Sequence, residues 1–247
     1  MAQIYTNETL IENRSRLGRY ASLGGLAIIV GGLVASFQEN ILLAYGALIL
    51  GFIISNIGAY YLNRWGLHPY KKVTEGIKGL GKQYSLYNYY LPIPNVLLTP
   101  YSVVVLLLKN QDGKITANAK GWRQGSSFLG FFRALSSEGI GNPPQELELE
   151  KDKMKKFLAD KLGENVKVPV EGYILFTNPQ ASIKIDGVDA PIIVLSQQPD
   201  ALKDALRRDK RTPLLSEDLY DKIVQLFAVT AEEAAAEAEK GFKFWQR

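Results

Sequence analysis

The sequence predicts an α/β protein: a two-helix N-terminal transmembrane hairpin followed by a mixed-sheet domain. Two observations predict it. Residues 21–37 and 41–62 are uncharged apolar runs separated by only three residues. Beyond residue 66, short apolar runs of strand character alternate with segments of helical spacing, the pattern of helices packed on a mixed sheet in two or three layers.

The second run, ILLAYGALILGFIISNIGAYYL, would span ~33 Å as a helix, enough for a bilayer core. The first, ASLGGLAIIVGGLVASF, gives ~26 Å and needs Tyr20 and Gln38 to complete a crossing. The linker Gln38-Glu39-Asn40 forces an antiparallel hairpin. In lipid the backbone groups must be satisfied within each segment, which demands helices. A soluble buried pair would carry polar residues along one face, and only Ser55 and Asn56 interrupt the second run. A cleaved signal peptide ending near Ala35 is set aside because a second apolar run follows at once. Arg14, Arg16 and Arg19 precede the first run and Arg64, Lys71 and Lys72 follow the second, while the linker has no Lys or Arg. By the positive-inside rule both termini and the soluble domain are expected in the cytoplasm, at the cell membrane, with Tyr20, Tyr60, Tyr61 and Trp65 as an aromatic belt. The glycines at 24, 25, 31, 32, 46, 51 and 58 serve either packing within the hairpin or packing on a partner's helices.

In the soluble part, residues 66–83 have helical spacing after Pro69. Residues 84–91 favour a strand, and YSVVVLLL at 101–108 reads as a strand buried on both faces. Asp112-Gly113 is a hairpin signal, with 114–122 as the returning strand. Residues 124–146 read as a loop, 144–162 as a helix, and 168–176, 181–185 and 191–196 as strands. Residues 198–210 and 216–228 read as helices, with Ser216 the N-cap of the second. The Ala/Glu-rich tail is helix-prone and ends in Phe242, Phe244 and Trp245, either a solvated terminal helix or an aromatic foot on membrane or partner. The expected organisation is a cytoplasmic segment at 1–19, the hairpin at 20–65, the α/β domain at 66–228 and a helical tail at 229–247.

Composition closes off several chemistries. The 247 residues include no cysteine, which excludes disulfides, thiolate catalysis and Cys-based metal centres. His68 is the single histidine, so a His-based metal site or a Ser-His-Asp triad is not expected, and no cofactor is implied. The net charge of +4 is mildly basic. GIKGLGKQ at 76–83 approaches the P-loop pattern but lacks its final hydroxyl residue and follows a helix pattern instead of a strand. Lys71, Lys72, Arg207, Arg208, Lys210 and Arg211 are candidates for binding an anionic surface, lipid or nucleic acid, or else form solvated faces.

One ordered set of short motifs is more specific. It runs from Val73, Leu80 and Tyr84 through Leu91-Pro92, VVVLLLKNQDGKI at 103–115, Trp122 and Asn142-Pro143-Pro144-Gln145 to VEGYILFTNPQASI at 170–183. Over residues 66–228 this resembles the nuclease-related domain, NERD, a branch of the restriction-endonuclease-like PD-(D/E)xK fold. The resemblance implies a metal-dependent nuclease ancestry, with a divalent metal held by hard carboxylate oxygens and a lysine steadying the attacking water. It places that lysine at Lys109. The metal-binding Glu falls at Leu107, the other acidic position at Pro94 or Asn95, and the helix Glu near Tyr70, one turn from Glu75. Three of the four groups are replaced, which implies a degenerate, catalytically inactive site.

The expected function is therefore a membrane-anchored pseudoenzyme acting by binding, as an accessory subunit beside a membrane-protein partner or a second copy of itself. The alternatives are a tethered nuclease using relocated acids such as Glu75 and Asp112, and a nucleic-acid or anionic-lipid binding module.

Overall fold

The computed structural model describes residues 1–38, 41–66, 69–118, 121–125, 139–208 and 214–244. Glu39, Asn40, His68, residues 126–138 of the expected loop, Lys210, Arg211 and Trp245 lie outside the described residues. The chain divides into two compact units, one built on a mixed sheet and one on the apolar hairpin.

The hairpin consists of α1 (Glu8–Phe37) and α2 (Ile41–Trp65). Both helices are long and apolar enough to cross a membrane, and only 17% of each apolar window is buried. Leu23, Leu42, Leu43, Ile49 and Phe52 are all more than half or half exposed, opposite to what a soluble core helix shows. α1 starts well before its apolar run. Glu8 occupies its first turn, where the helix dipole favours an acid, and Arg16 pairs with Glu12 at 2.7 Å across one turn. Two polar residues inside the apolar runs bond to their own helix: Ser36 Oγ donates to the Leu33 carbonyl at 2.6 Å and Asn56 Nδ2 to that of Phe52 at 2.8 Å.

The glycines divide by face. A Cβ on Gly25 would run into the backbone of Ser55 and Gly51, and one on Gly58 into that of Ser22 and Gly18. Gly51 and Gly32 are similarly closed by the facing helix, whereas Gly24, Gly31 and Gly46 face open space. Packing within the hairpin thus accounts for four of the seven. Gly25→Leu is expected to destabilise the hairpin by ~2 kcal/mol or more through overpacking. The neighbouring Gly24→Leu should leave it unchanged or firmer, since Leu is the better helix former. Thermal unfolding followed by circular dichroism in micelles compares the two.

The main sheet has strand order β1-β2-β3-β4-β7-β9: β1 (Gln3–Thr6), β2 (Ser85–Asn88), β3 (Asn95–Leu98), β4 (Val103–Lys109), β7 (Val170–Phe176) and β9 (Ile192–Val194). β2, β3 and β4 form an antiparallel meander, while β1 joins β2, and β7 joins β4 and β9, in parallel. A second sheet, β6-β5-β8, is made of β5 (Gly113–Asn118), β6 (Gly121–Gln124) and β8 (Ala181–Ile185). α3 (Tyr70–Gly76) and α5 (Ala201–Arg208) cover one face of the main sheet, with Val73, Ile77, Leu202 and Leu206 packed on Leu86, Leu97, Val104 and Leu106. α4 (Pro143–Leu162) and α6 (Glu217–Phe244) cover the other, with Leu147, Met154, Ile223 and Phe227 packed on Val96, Val105, Ile174 and Phe176. The expected α/β class holds, in three layers.

Asp112-Gly113 is not the hairpin turn expected of it. β4 already has β3 on one edge and β7 on the other, so the chain after it cannot return alongside and enters the second sheet. The hairpin instead lies between β3 and β4. There Thr99 Oγ1 accepts the N–H groups of Tyr101 (3.2 Å) and Ser102 (3.0 Å). The helix expected over 66–83 stops at Gly76, followed by a glycine-rich turn with Gly79 at φ +90°. The strand expected over 84–91 ends at Asn88 because Tyr89 adopts φ 61°. Ser216 caps α6 as expected, its Oγ accepting the Leu219 N–H at 3.3 Å, but α6 runs unbroken through residue 228 into the Ala/Glu tail.

Tyr87 lies between Tyr5, stacked at 4.8 Å, and Phe227, edge-on at 5.2 Å. Burial first, then Tyr5 and Tyr220, pushes its phenol well above the usual tyrosine range. A folded-state pKa raised above the unfolded value gives stability that is complete below about pH 10 and declines as pH rises further. The sheet unit should therefore lose stability from about pH 10 upward, and Tyr87→Phe should flatten that decline. Denaturation curves at stepped alkaline pH measure both.

Candidate functional site

β4 is apolar until its last residue, and Lys109 takes the face that looks toward α4. Its side chain is only 7% exposed, so the ammonium needs partners. It donates to Glu146 Oε2 at 2.6 Å and to the Ile140 carbonyl at 3.1 Å. Glu146 stands in the first turn of α4, where the helix dipole also favours its charge. Gly141 has φ +64°, and a Cβ there would collide with the Glu146 carboxylate, so the turn into α4 is fitted around this ion pair.

The loops beyond Lys109 are joined to those beyond β7. The Thr177 N–H donates to the Lys109 carbonyl at 3.0 Å and Thr177 Oγ1 to Asn110 Oδ1 at 3.0 Å. Asn178 Nδ2 donates to the Asn110 carbonyl at 3.0 Å, and Trp122 stacks on Phe176 at 6.0 Å. The parallel pair β4–β7 thereby continues into the parallel pair β5–β8 of the second sheet. The motifs KNQDG and TNPQ are the two sides of one junction.

The positions expected to form a degenerate nuclease centre do not converge. Leu107 and Lys109 share the α4 side of β4, and the β3–β4 pairing covers Val96–Leu98, short of both Pro94 and Asn95. Asn95 sits cross-strand from Asn88 on the other face, alongside Leu86 and Leu97, and Tyr70 opens α3 on that same side. The relocated acids do not gather either. Glu75 is on α3, across the sheet from Lys109, and pairs with Lys72 at 3.3 Å, while Asp112 lies in the loop after β4. Among the described residues no three His, Asp or Glu side chains come together as a metal-binding group.

No protein family, characterised protein or solved structure matches this chain.

Sequence reasoning missed Glu146 and the Ile140 carbonyl as the partners of Lys109. The only signal was an acid in the first turn of a helix opened by Pro143-Pro144, which foretells a helix start and says nothing of a lysine 37 residues earlier. It also missed the buried asparagines. Asn88 Nδ2 donates to Thr6 Oγ1 at 3.0 Å, while Oδ1 of both Asn88 and Asn95 is buried with no hydrogen-bond partner among the described residues. Of the basic candidates, Lys71 and Lys72 are exposed on α3 and Arg207 on α5, and Arg208 ends α5.

Lys109→Ala removes a charge-assisted hydrogen bond and strips the Ile140 carbonyl of its donor, at an expected cost of ~2 kcal/mol given that Glu146 reaches solvent. Glu146→Gln should cost about 1 kcal/mol, and the double variant less than the two together, because both remove one interaction. Denaturation of the four proteins in a double-mutant cycle reads the coupling.

Proposed function

We propose that this chain is a membrane-anchored protein whose sheet unit works by binding, as an accessory subunit of a membrane assembly, on a NERD-like fold that has given up nuclease chemistry. The order α3, antiparallel β2-β3-β4, α4, then β7 parallel to β4 supports the restriction-endonuclease-like reading. The observation that carries the loss of chemistry is the Lys109–Glu146 pair. A lysine that steadies an attacking water must face carboxylates that hold a metal. Here Leu107 stands on the same face of the strand, and the ammonium is spent on a helix start and a loop carbonyl. The exposed leucines and isoleucines of the hairpin support its insertion in a bilayer, and the arginines and lysines at its two ends support cytoplasmic termini.

Four measurements test this reading. The chain should stay in the membrane fraction through alkaline carbonate washing, with the sheet unit open to protease only from the cytoplasmic side. Purified in mild detergent, it should run with a membrane-protein partner or as an oligomer. A lone monomer would count against the accessory role. Supercoiled plasmid with Mg²⁺ or Mn²⁺ should remain intact. Cleavage that disappears in Lys109→Ala would restore the enzyme.

A further inference from the structure

The two helix layers of the sheet unit carry opposite charge. On one face, residues 70–83 hold Lys71, Lys72, Lys78 and Lys82 against Glu75, and residues 197–208 hold Lys203, Arg207 and Arg208 against Asp200 and Asp204. On the other, α6 has seven acidic residues against three lysines, while α4 is balanced. The sequence scatters the basic residues over more than 130 positions, and the fold gathers them. α3 and α5 pack side by side, close enough that a Cβ on Gly76 would stand 3.2 Å from the Pro199 carbonyl and 4.0 Å from Leu202.

Lys203 is held by Asp200 at 2.6 Å, but Lys71, Lys72, Lys78, Lys82 and Arg207 are available. Lys71, Lys78 and Lys82 make no ion pair among the described residues. Lys72 meets Glu75 at 3.3 Å and Arg207 meets Asp204 at 3.8 Å, both exposed pairs within one helix, which contribute little and yield readily to a competing anion. Four residues, 66–69, separate α2 from α3. The chain from Trp65 to Lys71 can span at most ~20 Å even fully extended. A bilayer holding α2 therefore keeps Lys71 and Lys72 within a short reach of its headgroups, at a high effective concentration.

We propose that the α3–α5 face of the sheet unit binds anionic phospholipid headgroups. The proposal rests on the membrane reading of the hairpin and adds a second, electrostatic contact to it. A lipid surface suits the patch because its phosphates are numerous and carry no sequence. The patch is likewise a spread of single charges. Each basic residue held near an anionic surface favours the docked state about fivefold (~1 kcal/mol).

The test uses the full chain in nanodiscs of phosphatidylcholine, with and without phosphatidylglycerol, read by hydrogen exchange. Amides of residues 70–83 and 201–208 should exchange more slowly in the anionic discs, α4 should be the same in both, and high salt should remove the difference. Neutralising Lys71, Lys72 and Arg207 together, each to Gln, should weaken docking about a hundredfold. These exposed side chains are not part of the core, and the wild-type salt dependence tests the proposal even if the variant folds poorly. Equal exchange in the two discs, or slowing that salt leaves untouched, would overturn it. Slowing of the same segments by duplex DNA in neutral discs would overturn it too, in favour of nucleic acid. Loss of the chain from carbonate-washed membranes would instead overturn the membrane reading itself, so the two failures are distinguishable.

Discussion

β4 is paired on both edges and covered on both faces, and the rest of the sheet unit is placed by that constraint. β7 pairs with all seven of its residues and β3 with Val103–Val105, so the backbone groups of its first half are committed on both edges. The chain leaving β4 therefore has no free edge to return to. It crosses to a second sheet, and β7, bound to β4 residue for residue, delivers β8 to the same place. Lys109 is the point at which this dry strand ends. Its stem is covered by the same apolar layer as Val105, and its ammonium lies just beyond that layer, where it fixes Ile140 and the first turn of α4. One strand thus sets the second sheet, the start of a helix and the use to which its last side chain is put.

Much of this was legible because burial on both faces leaves a plain mark. VVVLLL can hardly be anything but a central strand, and the two uncharged runs of the hairpin are equally direct. What stayed hidden depends on partners far along the chain. Gln3–Thr6 is four residues of no strong pattern and becomes a strand only because β2 offers it an edge. Asn95–Leu98 was obscured by the prolines around it. Asp112-Gly113 carries local turn chemistry, yet whether a turn makes a hairpin depends on whether the previous strand has a vacant edge, and a turn signal has no information about that. The candidate site followed the same rule. Lys109 could be named from its place at the end of a strand, whereas Glu146 could not, because only the packing of α4 brings it there.

The side on which a residue falls decided the meaning of the candidate site. Strand alternation is strict, so adjacent positions such as Val105 and Leu106 serve opposite layers. Asn95 belongs with Asn88, Leu86 and Leu97 under α3, away from Lys109. The same alternation sorts charge. Basic helices pack on one face and the acidic α6 on the other, so a chain with a small net charge acquires a large local one.

The hairpin enters this frame at little cost. The chain leaves β1 at Asn7 and rejoins the sheet unit at Tyr70, and both points meet one residue. Asn7 Nδ2 donates to the Tyr89 carbonyl at 3.4 Å, and the rings of Tyr70 and Tyr89 meet edge-on at 6.2 Å. Tyr89 is itself held at φ 61° by its N–H bond to the Pro94 carbonyl at 2.6 Å. Residues 8–68 are therefore an insertion between two neighbouring points of the sheet unit's own chain. Such insertions disturb a host fold least, because closing a loop costs free energy that grows only logarithmically with its length. The sheet need not reshape its core to carry two apolar helices. The hairpin needs from the sheet only two neighbouring exits. That economy explains how one chain combines an apolar hairpin closed by its own glycines with a sheet unit whose core is complete without it.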